Sequence, residues 1–221
     1  MVSLYALKID ENIDDKILKQ LQEIISYENQ IKVDKFKFKK DKIRTLFGEL
    51  LLRYVLKVHY HFDHEIKILR DEYQKPHLEK NPFYFNISHS GQYVVCAIDD
   101  QEVGVDIEEV TNIDMIIAKQ FFDINEYEYL MQLNDQPLKQ KEAFFKIWTV
   151  KESYVKLLKK GLQIPLNSFR VDLYQNKIIN QNNIYFKIYE FDNHQCSICT
   201  YQQNFDQIKF QTIDQIIEQF I

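Results

Sequence analysis

With 221 residues, 45% of them apolar and 14% aromatic, the chain can bury one large core or two of roughly 100 residues each, and its four Gly and four Pro leave no room for long flexible linkers. A net charge of -5 at pH 7 gives no general attraction to nucleic acid or membrane, so neither is expected as a partner and any polyanion site must be local. No run reaches about 18 apolar residues, a strand pattern begins almost at Met1, and three cysteines (Cys96, Cys196, Cys199) are too few for a disulfide framework, which together point to the cytoplasm.

In chain order, VSLYALKI alternates as a strand. The stretch from Asp14 to Tyr27 carries Ile17, Leu18, Leu21, Ile24 and Ile25 at helical spacing. Between Lys32 and Arg44 seven basic residues face two acidic ones, a balance of +5 over 13 positions. Such a run is either a solvated helix face or a phosphate-binding segment. Ile43, Leu46, Phe47, Leu50, Leu51, Tyr54, Val55 and Val58 then keep a helical period, predicting a long helix over about 41–59. EIKILR, FYFNIS and YVVCAID read as strands of one sheet. In FYFNISHSG, Tyr84, Asn86 and Ser88 share a strand face, and His89, Ser90 and Gly91 are expected as the following turn, a place that can cradle a phosphate or be an ordinary polar hairpin.

A second half opens at VGVDIEEV. Helices are expected over about 113–133 and 138–160, the latter ended by Gly161 and Pro165. The strands FRVDLY, IYFKIYEF, CSICTY and IKFQTI follow, with a closing helix from Asp214. Each half runs strand, helices, antiparallel strands. The expected fold is therefore α+β, with two similar lobes in a pseudo-twofold arrangement, each a small, mainly antiparallel sheet packed with helices; the boundaries are 1–104 and 105–221.

Chemistry concentrates in this second half. Alternation places Val103, Val105 and Ile107 on one strand face and Gly104, Asp106 and Glu108 on the other. Two adjacent carboxylates repel, and a hard divalent cation relieves that repulsion; an exposed polar edge is the alternative. Phe145, Trp148, Glu152 and Val155 fall at i, i+3, i+7 and i+10, so Glu152 lies in an apolar stripe where a carboxylate must be paired, protonated or metal-bound. Lys156, four residues on, offers it a structural partner. Two decoys are set aside. His59, His61 and His64 stand at a helix end with no fourth zinc ligand at a standard spacing, and Cys196 and Cys199 face opposite sides of a strand.

Six ordered segments carry a resemblance: KIRTLFGELLLR at 42–53, YQKP at 73–76, FNISHSG at 85–91, VGVDIEE at 103–109, FFDINEYE at 121–128 and FFKIWTVKESYVKLLKKGL at 144–162. In this order and spacing they resemble the Sfp type of 4'-phosphopantetheinyl transferase from about residue 30 to 165. The resemblance implies an enzyme that transfers the 4'-phosphopantetheine arm of coenzyme A to a serine of an apo carrier protein and releases 3',5'-ADP. It implies Mg2+ held by Asp106, Glu108 and Glu152. Lys32, Arg44, Thr45, Lys75, Ser88 and His89 would bind the 3'-phosphate end and the pyrophosphate, with Lys75 and Pro76 beside the adenine. Lys156 would neutralise the transferring phosphoryl group, and the catalytic set would be Glu152, Lys156 and Asp106, with Glu152, Glu126 or a metal-bound water as base. Asn29 departs from the pattern, standing where relatives often carry a basic residue. Peptidyl carriers are the usual clients, acyl and aryl carriers also fitting, and a chain that holds both lobes is expected to act as a monomer. Two other classes stay open: another Mg-dependent phosphoryl or nucleotidyl transferase, for which no Walker loop occurs, and a non-catalytic anion-binding module, which has no use for Asp106, Glu108, Glu152 and Lys156 together.

Overall fold

The computed structural model describes residues 1–79, 83–159 and 163–221. Strand β1 (Ser3–Lys8) is followed by helices α1 (Asp15–Gln22), α2 (Tyr27–Lys35) and α3 (Lys39–His59). A short ribbon of β2 (Ile68–Arg70) and β3 (Pro76–Leu78) precedes the hairpin of β4 (Tyr84–Ser90) and β5 (Tyr93–Asp99). The plan then repeats. Strand β6 (Val103–Glu109) leads to α4 (Ile116–Phe121), α5 (Ile124–Met131) and α6 (Pro137–Leu157), a ribbon of β7 (Val171–Asp172) and β8 (Lys177–Ile178), and the hairpin of β9 (Tyr185–Phe191) and β10 (His194–Thr200). In each lobe the opening strand pairs antiparallel with the second strand of the hairpin, giving orders β1-β5-β4 and β6-β10-β9. The fold is α+β, with one topology used twice.

The end of the chain returns to the first lobe. Strand β11 (Lys209–Gln211) runs parallel to β1, and α7 (Ile213–Phe220) packs Ile213, Ile216, Ile217 and Phe220 into the first core. Among the described residues no helix is long and apolar enough to cross a membrane.

Alternation of side chains along the strands builds a layered molecule. Tyr5 and Leu7 of β1 and Val94, Cys96 and Ile98 of β5 face the helices of the first lobe. Leu4, Ala6, Val95 and Ala97 face the other way and meet Val103, Val105, Ile107, Cys196 and Ile198 of the second sheet. The opposite face of that sheet, with Phe186 and Cys199, packs under α6. Cys196 and Cys199 thus lie on opposite faces, as the strand period requires.

Three expectations need correction. The stretch 113–133 is two helices, because Asp123 takes extended backbone angles and closes a capping box with Glu126 that starts α5 afresh. The basic run is divided between α2 and α3, with an extended break at Phe36 and Phe38. His89 and Ser90 are not turn residues: β4 continues through them, paired with Val94 and Tyr93, and the turn is Gly91-Gln92, where Gly91 takes the positive φ of 53° that a two-residue hairpin needs. Gly161, expected to end the helix, lies outside the described residues; α6 closes with Leu158 as its cap and Lys159 at φ 60°.

One glycine positions the site. A Cβ on Gly104 would lie 1.9 Å from the Ser153 carbonyl oxygen and 2.6 Å from the Leu157 nitrogen, so α6 rests directly on the backbone of β6. That approach brings Glu152 and Lys156 against Asp106. Gly104→Ala must push the helix off the strand, and we expect a loss of at least about 2 kcal/mol in urea unfolding. An unchanged unfolding midpoint would contradict this packing.

Candidate active site at the lobe junction

The two lobes meet where β4 and β6 lie side by side in separate sheets. Side chains of β4 join them. Asn86 Oδ1 accepts from the Val105 amide at 2.9 Å, Ser88 Oγ donates to Asp106 Oδ1 at 3.0 Å, and Ser90 Oγ donates to Glu108 Oε2 at 2.8 Å while accepting from the Glu109 amide at 3.1 Å. These are alternate residues of one strand face, so the period of β4 sets the positions of both carboxylates. Asn86 and Ser90 were missed as site residues; Ser90 falls in step with Ser88 once the strand is carried through it.

Lys156, near the end of α6, closes the junction from above. Its Nζ donates to Asp106 Oδ1 at 2.6 Å, Ser88 Oγ at 3.1 Å and the Val105 carbonyl at 3.1 Å. The alternative in which Lys156 serves as the i, i+4 partner of Glu152 is therefore not the arrangement adopted, since the ammonium is taken by the strand side of the site. Glu152 is half-buried. Burial first, then the charge of Asp106, raises its carboxyl above the ordinary value, with Lys156 opposing. Glu108 is raised likewise, by burial, then by Asp106 and, more weakly, by Glu152, against the Ser90 hydrogen bond and Lys156. Both acids thus feel the charge of Asp106.

These oxygens suit a hard cation such as magnesium. Asp106 is 5% exposed, and its Oδ2 is buried without a hydrogen-bond partner among the described residues. Among those residues no three His, Cys, Asp or Glu side chains are grouped tightly enough to hold an ion by themselves. Magnesium, which keeps water and substrate phosphates in its shell, needs only one or two protein carboxylates. The residues fit it on those terms.

Cations of the first lobe face the same cleft. Arg44 of α3 donates through Nε and Nη2 to the Gly91 carbonyl, at 3.2 and 2.6 Å, and so holds the hairpin tip. Solvent reaches the His89 ring, but the cleft withdraws it from bulk water, and this, then Arg44, Lys156 and Lys32, lowers its pKa from the ordinary 6.5. Lys32, exposed on α2, is near enough to act on the His89 ring, whereas Thr45, next to Arg44 on α3, is half-buried with no contact that ties it to the cleft among those described. Asn29 donates to Glu49 Oε2 at 2.6 Å, and the buried Glu49 also accepts from the Ser26 amide, the Ser26 hydroxyl and Arg53.

Lys75 has internal partners: Glu102 Oε2 at 3.1 Å, the Val103 carbonyl at 3.2 Å and the Lys156 carbonyl at 2.9 Å. Burial pulls its pKa down and Glu102 opposes that. Beside it lies a cavity of about 380 Å³ lined by Pro76, His77, Tyr84, Phe85 and Lys159. Glu102, which also pairs with Lys159, was not foreseen, because a single acid ahead of a strand carries no pattern. Glu126 is fully engaged elsewhere: Oε1 accepts from the Val171 amide at 2.6 Å, and Oε2 from the Asp123 amide and the buried Lys151 at 2.8 and 2.9 Å. Of the histidine decoys, His59 packs beside the rings of Tyr5 and Tyr54, and His64 beside Phe62.

Comparison with known proteins agrees with this junction of cations and carboxylates. Residues 13–101 match the family described as 4'-phosphopantetheinyl transferase, N-terminal, and residues 102–200 match the 4'-phosphopantetheinyl transferase superfamily. The chain belongs to the 4'-phosphopantetheinyl transferase superfamily. It is 39% identical over 207 residues to 4'-phosphopantetheinyl transferase gsp of Aneurinibacillus migulanus, covering 90% of this chain and 86% of that protein. It is 34% identical over 213 residues to 4'-phosphopantetheinyl transferase Sfp of Bacillus subtilis (strain 168), covering 92% and 94%. The mouse L-aminoadipate-semialdehyde dehydrogenase-phosphopantetheinyl transferase is 32% identical over 165 residues, covering 67% of this chain and 53% of its own.

The environment of His89 sets a pH dependence. Its folded pKa is depressed, so as pH falls below about 6.5 the unfolded chain binds the proton first; stability is present above that value and is lost as pH falls through the lower folded one. His89→Gln should therefore lose less melting temperature than wild type between about pH 7 and 5. Parallel losses in the two proteins would contradict the crowding of cations around the ring.

Proposed function

We propose that this chain transfers the 4'-phosphopantetheine arm of coenzyme A to a serine hydroxyl of an apo carrier protein, a peptidyl, acyl or aryl carrier, and releases 3',5'-ADP. It works with Mg2+, in the cytoplasm, as a monomer. Residues 1–104, rejoined by β11 and α7 from the end of the chain, act as the lobe that grips phosphates, and the rest of 105–221 as the lobe that bears the carboxylates. The observation that carries the reading is the meeting, at one lobe junction, of Lys156, Arg44 and His89 with Asp106, Glu108 and Glu152. A cleft of that composition suits a substrate with several phosphates and a reaction in which phosphate oxygens gain charge.

Lys32, Arg44, Thr45, Ser88 and His89 bind the 3'-phosphate and pyrophosphate. Lys75 and Pro76 border the cavity offered to the adenine, Lys75 acting chiefly by bracing β6 and the end of α6. The serine oxygen forms a bond to the phosphorus nearer the pantetheine, and the bond from that phosphorus to the bridging oxygen breaks, so 3',5'-ADP departs with the bridge. Lys156 neutralises oxygens of the transferred group. Asp106, Glu108 and Glu152 would hold magnesium, which when bound supplies positive charge to the pyrophosphate oxygens. The serine proton goes to Glu152, through a carboxylate oxygen that the metal would leave free. Glu126 does not compete for that role, because both its oxygens are committed to the scaffold.

Two outcomes test the assignment. Burial and Asp106 raise the folded pKa of Glu152, so its charged form costs stability once pH passes that value. Glu152→Gln should lower transfer at least about a hundredfold while the metal-free melting temperature stays at or above wild type. A destabilised variant that transfers at a near-normal rate would make Glu152 a structural residue only. Dephospho-coenzyme A should bind more weakly than coenzyme A by about 1–3 kcal/mol, through loss of contacts to the 3'-phosphate. Equal affinities in calorimetry would remove Lys32, Arg44 and His89 from that role.

A further inference from the structure

An ammonium has three N–H donors, and Lys156 places all three on protein oxygens, at 2.6 Å from Asp106 Oδ1 and 3.1 Å from both Ser88 Oγ and the Val105 carbonyl. Its backbone is fixed as well, since its own carbonyl accepts from Lys75 Nζ at 2.9 Å. Only the four-carbon stem is left to move. Directly across the carboxylate, Asp106 Oδ2 is buried and unpartnered among the described residues. Glu108 and Glu152 both feel Lys156 as a charge that opposes the repulsion from Asp106. In the free protein, then, a cation bonded to Asp106 is already inside the site and belongs to the chain.

We infer that Lys156 is an internal counter-ion that opposes divalent-cation binding in the free protein and is drawn off Asp106 by the phosphates of coenzyme A, so that metal and coenzyme A bind cooperatively. The inference rests on the assignment of Asp106, Glu108 and Glu152 to the metal. A positive charge bonded to Asp106 lowers the negative charge available to an incoming cation and repels it. Phosphate oxygens offer the ammonium a second set of strong acceptors within reach of its stem. Because coupling between two ligands is reciprocal, whatever coenzyme A does for the metal the metal does for coenzyme A. The site would then stay folded without metal and load fully only on substrate.

The test is a Mn2+ titration, read by the electron paramagnetic resonance of free Mn2+, on wild type, Lys156→Met and Lys156→Gln, each with and without coenzyme A. Two neutral replacements are used because Gln can still donate to Ser88 and Val105 whereas Met cannot. Without coenzyme A both variants should bind Mn2+ at least about tenfold more tightly than wild type, the scale on which one nearby charge alters a carboxylate site. Coenzyme A should tighten Mn2+ by a larger factor in wild type than in either variant. Mn2+ alone should also raise the melting temperature of the variants more than that of wild type, so a variant weakened by the lost lysine still reports. Equal Mn2+ affinity in all three proteins without coenzyme A, with Mn2+ bound by wild type in its presence, would overturn the inference and leave the metal assignment standing. No Mn2+ binding by wild type even with coenzyme A would overturn both.

Discussion

Strands β4 and β6 lie side by side without a backbone ladder between them, and the two sheets are held there by side chains. Asn86, Ser88 and Ser90, spaced by two along β4, bond to Val105, Asp106, Glu108 and the Glu109 amide of β6. Neutral hydrogen bonds contribute about 1 kcal/mol each and those to carboxylates roughly 1.5–3. The energy is modest, but the geometry is decisive. Because the same hydroxyls that join the lobes also orient Asp106 and Glu108, the side that bears Arg44 and His89 and the carboxylate side cannot be displaced independently. Gly104 adds the second constraint, letting α6 settle on β6 so that Lys156 reaches over the strand to Ser88.

Away from the junction, buried charge is used as scaffolding. Glu49 gathers Ser26, Asn29 and Arg53 and so fixes the start of α2 against α3. Its bond to Asn29 gives that residue a structural role at the position where a further base was expected. Lys151, fully buried, holds the carbonyls of Leu166 and Phe169 and the carboxylate of Glu126, pinning the segment after α6 to α5. Removing one partner of such a pair would leave an uncompensated buried charge.

Much of this was legible in the sequence where a short period governs the structure. Alternation in VGVDIEE separated Val103, Val105 and Ile107 from Asp106 and Glu108, and the sheets keep that division. Helical spacing marked Glu152 as a carboxylate short of water, and the folded environment agrees. Local signals failed where tertiary contacts decide. His89, Ser90 and Gly91 look like a polar turn, yet pairing with Val94 and Tyr93 carries the strand through the first two. Lys156 has a carboxylate at i-4, but the close approach at Gly104 offers it Asp106 instead. The return of β11 to β1 joins residues about 200 positions apart, as in Tyr5 beside Lys209, and no window of sequence contains both. Glu102 and the partners of Lys75 depend on the same kind of distant pairing.

A junction that moves a phosphopantetheine arm changes the mass of its acceptor, and that mass is the most direct measurement. Purified protein, coenzyme A and magnesium would be mixed with apo peptidyl, acyl and aryl carrier proteins, and each carrier weighed before and after by intact-protein mass spectrometry. At least one carrier should gain the mass of a single phosphopantetheine arm, lose that gain when its acceptor serine is replaced by Ala, and appear together with one equivalent of 3',5'-ADP. Carriers that remain unmodified across the whole set, while the protein is folded and binds coenzyme A, would contradict the central claim.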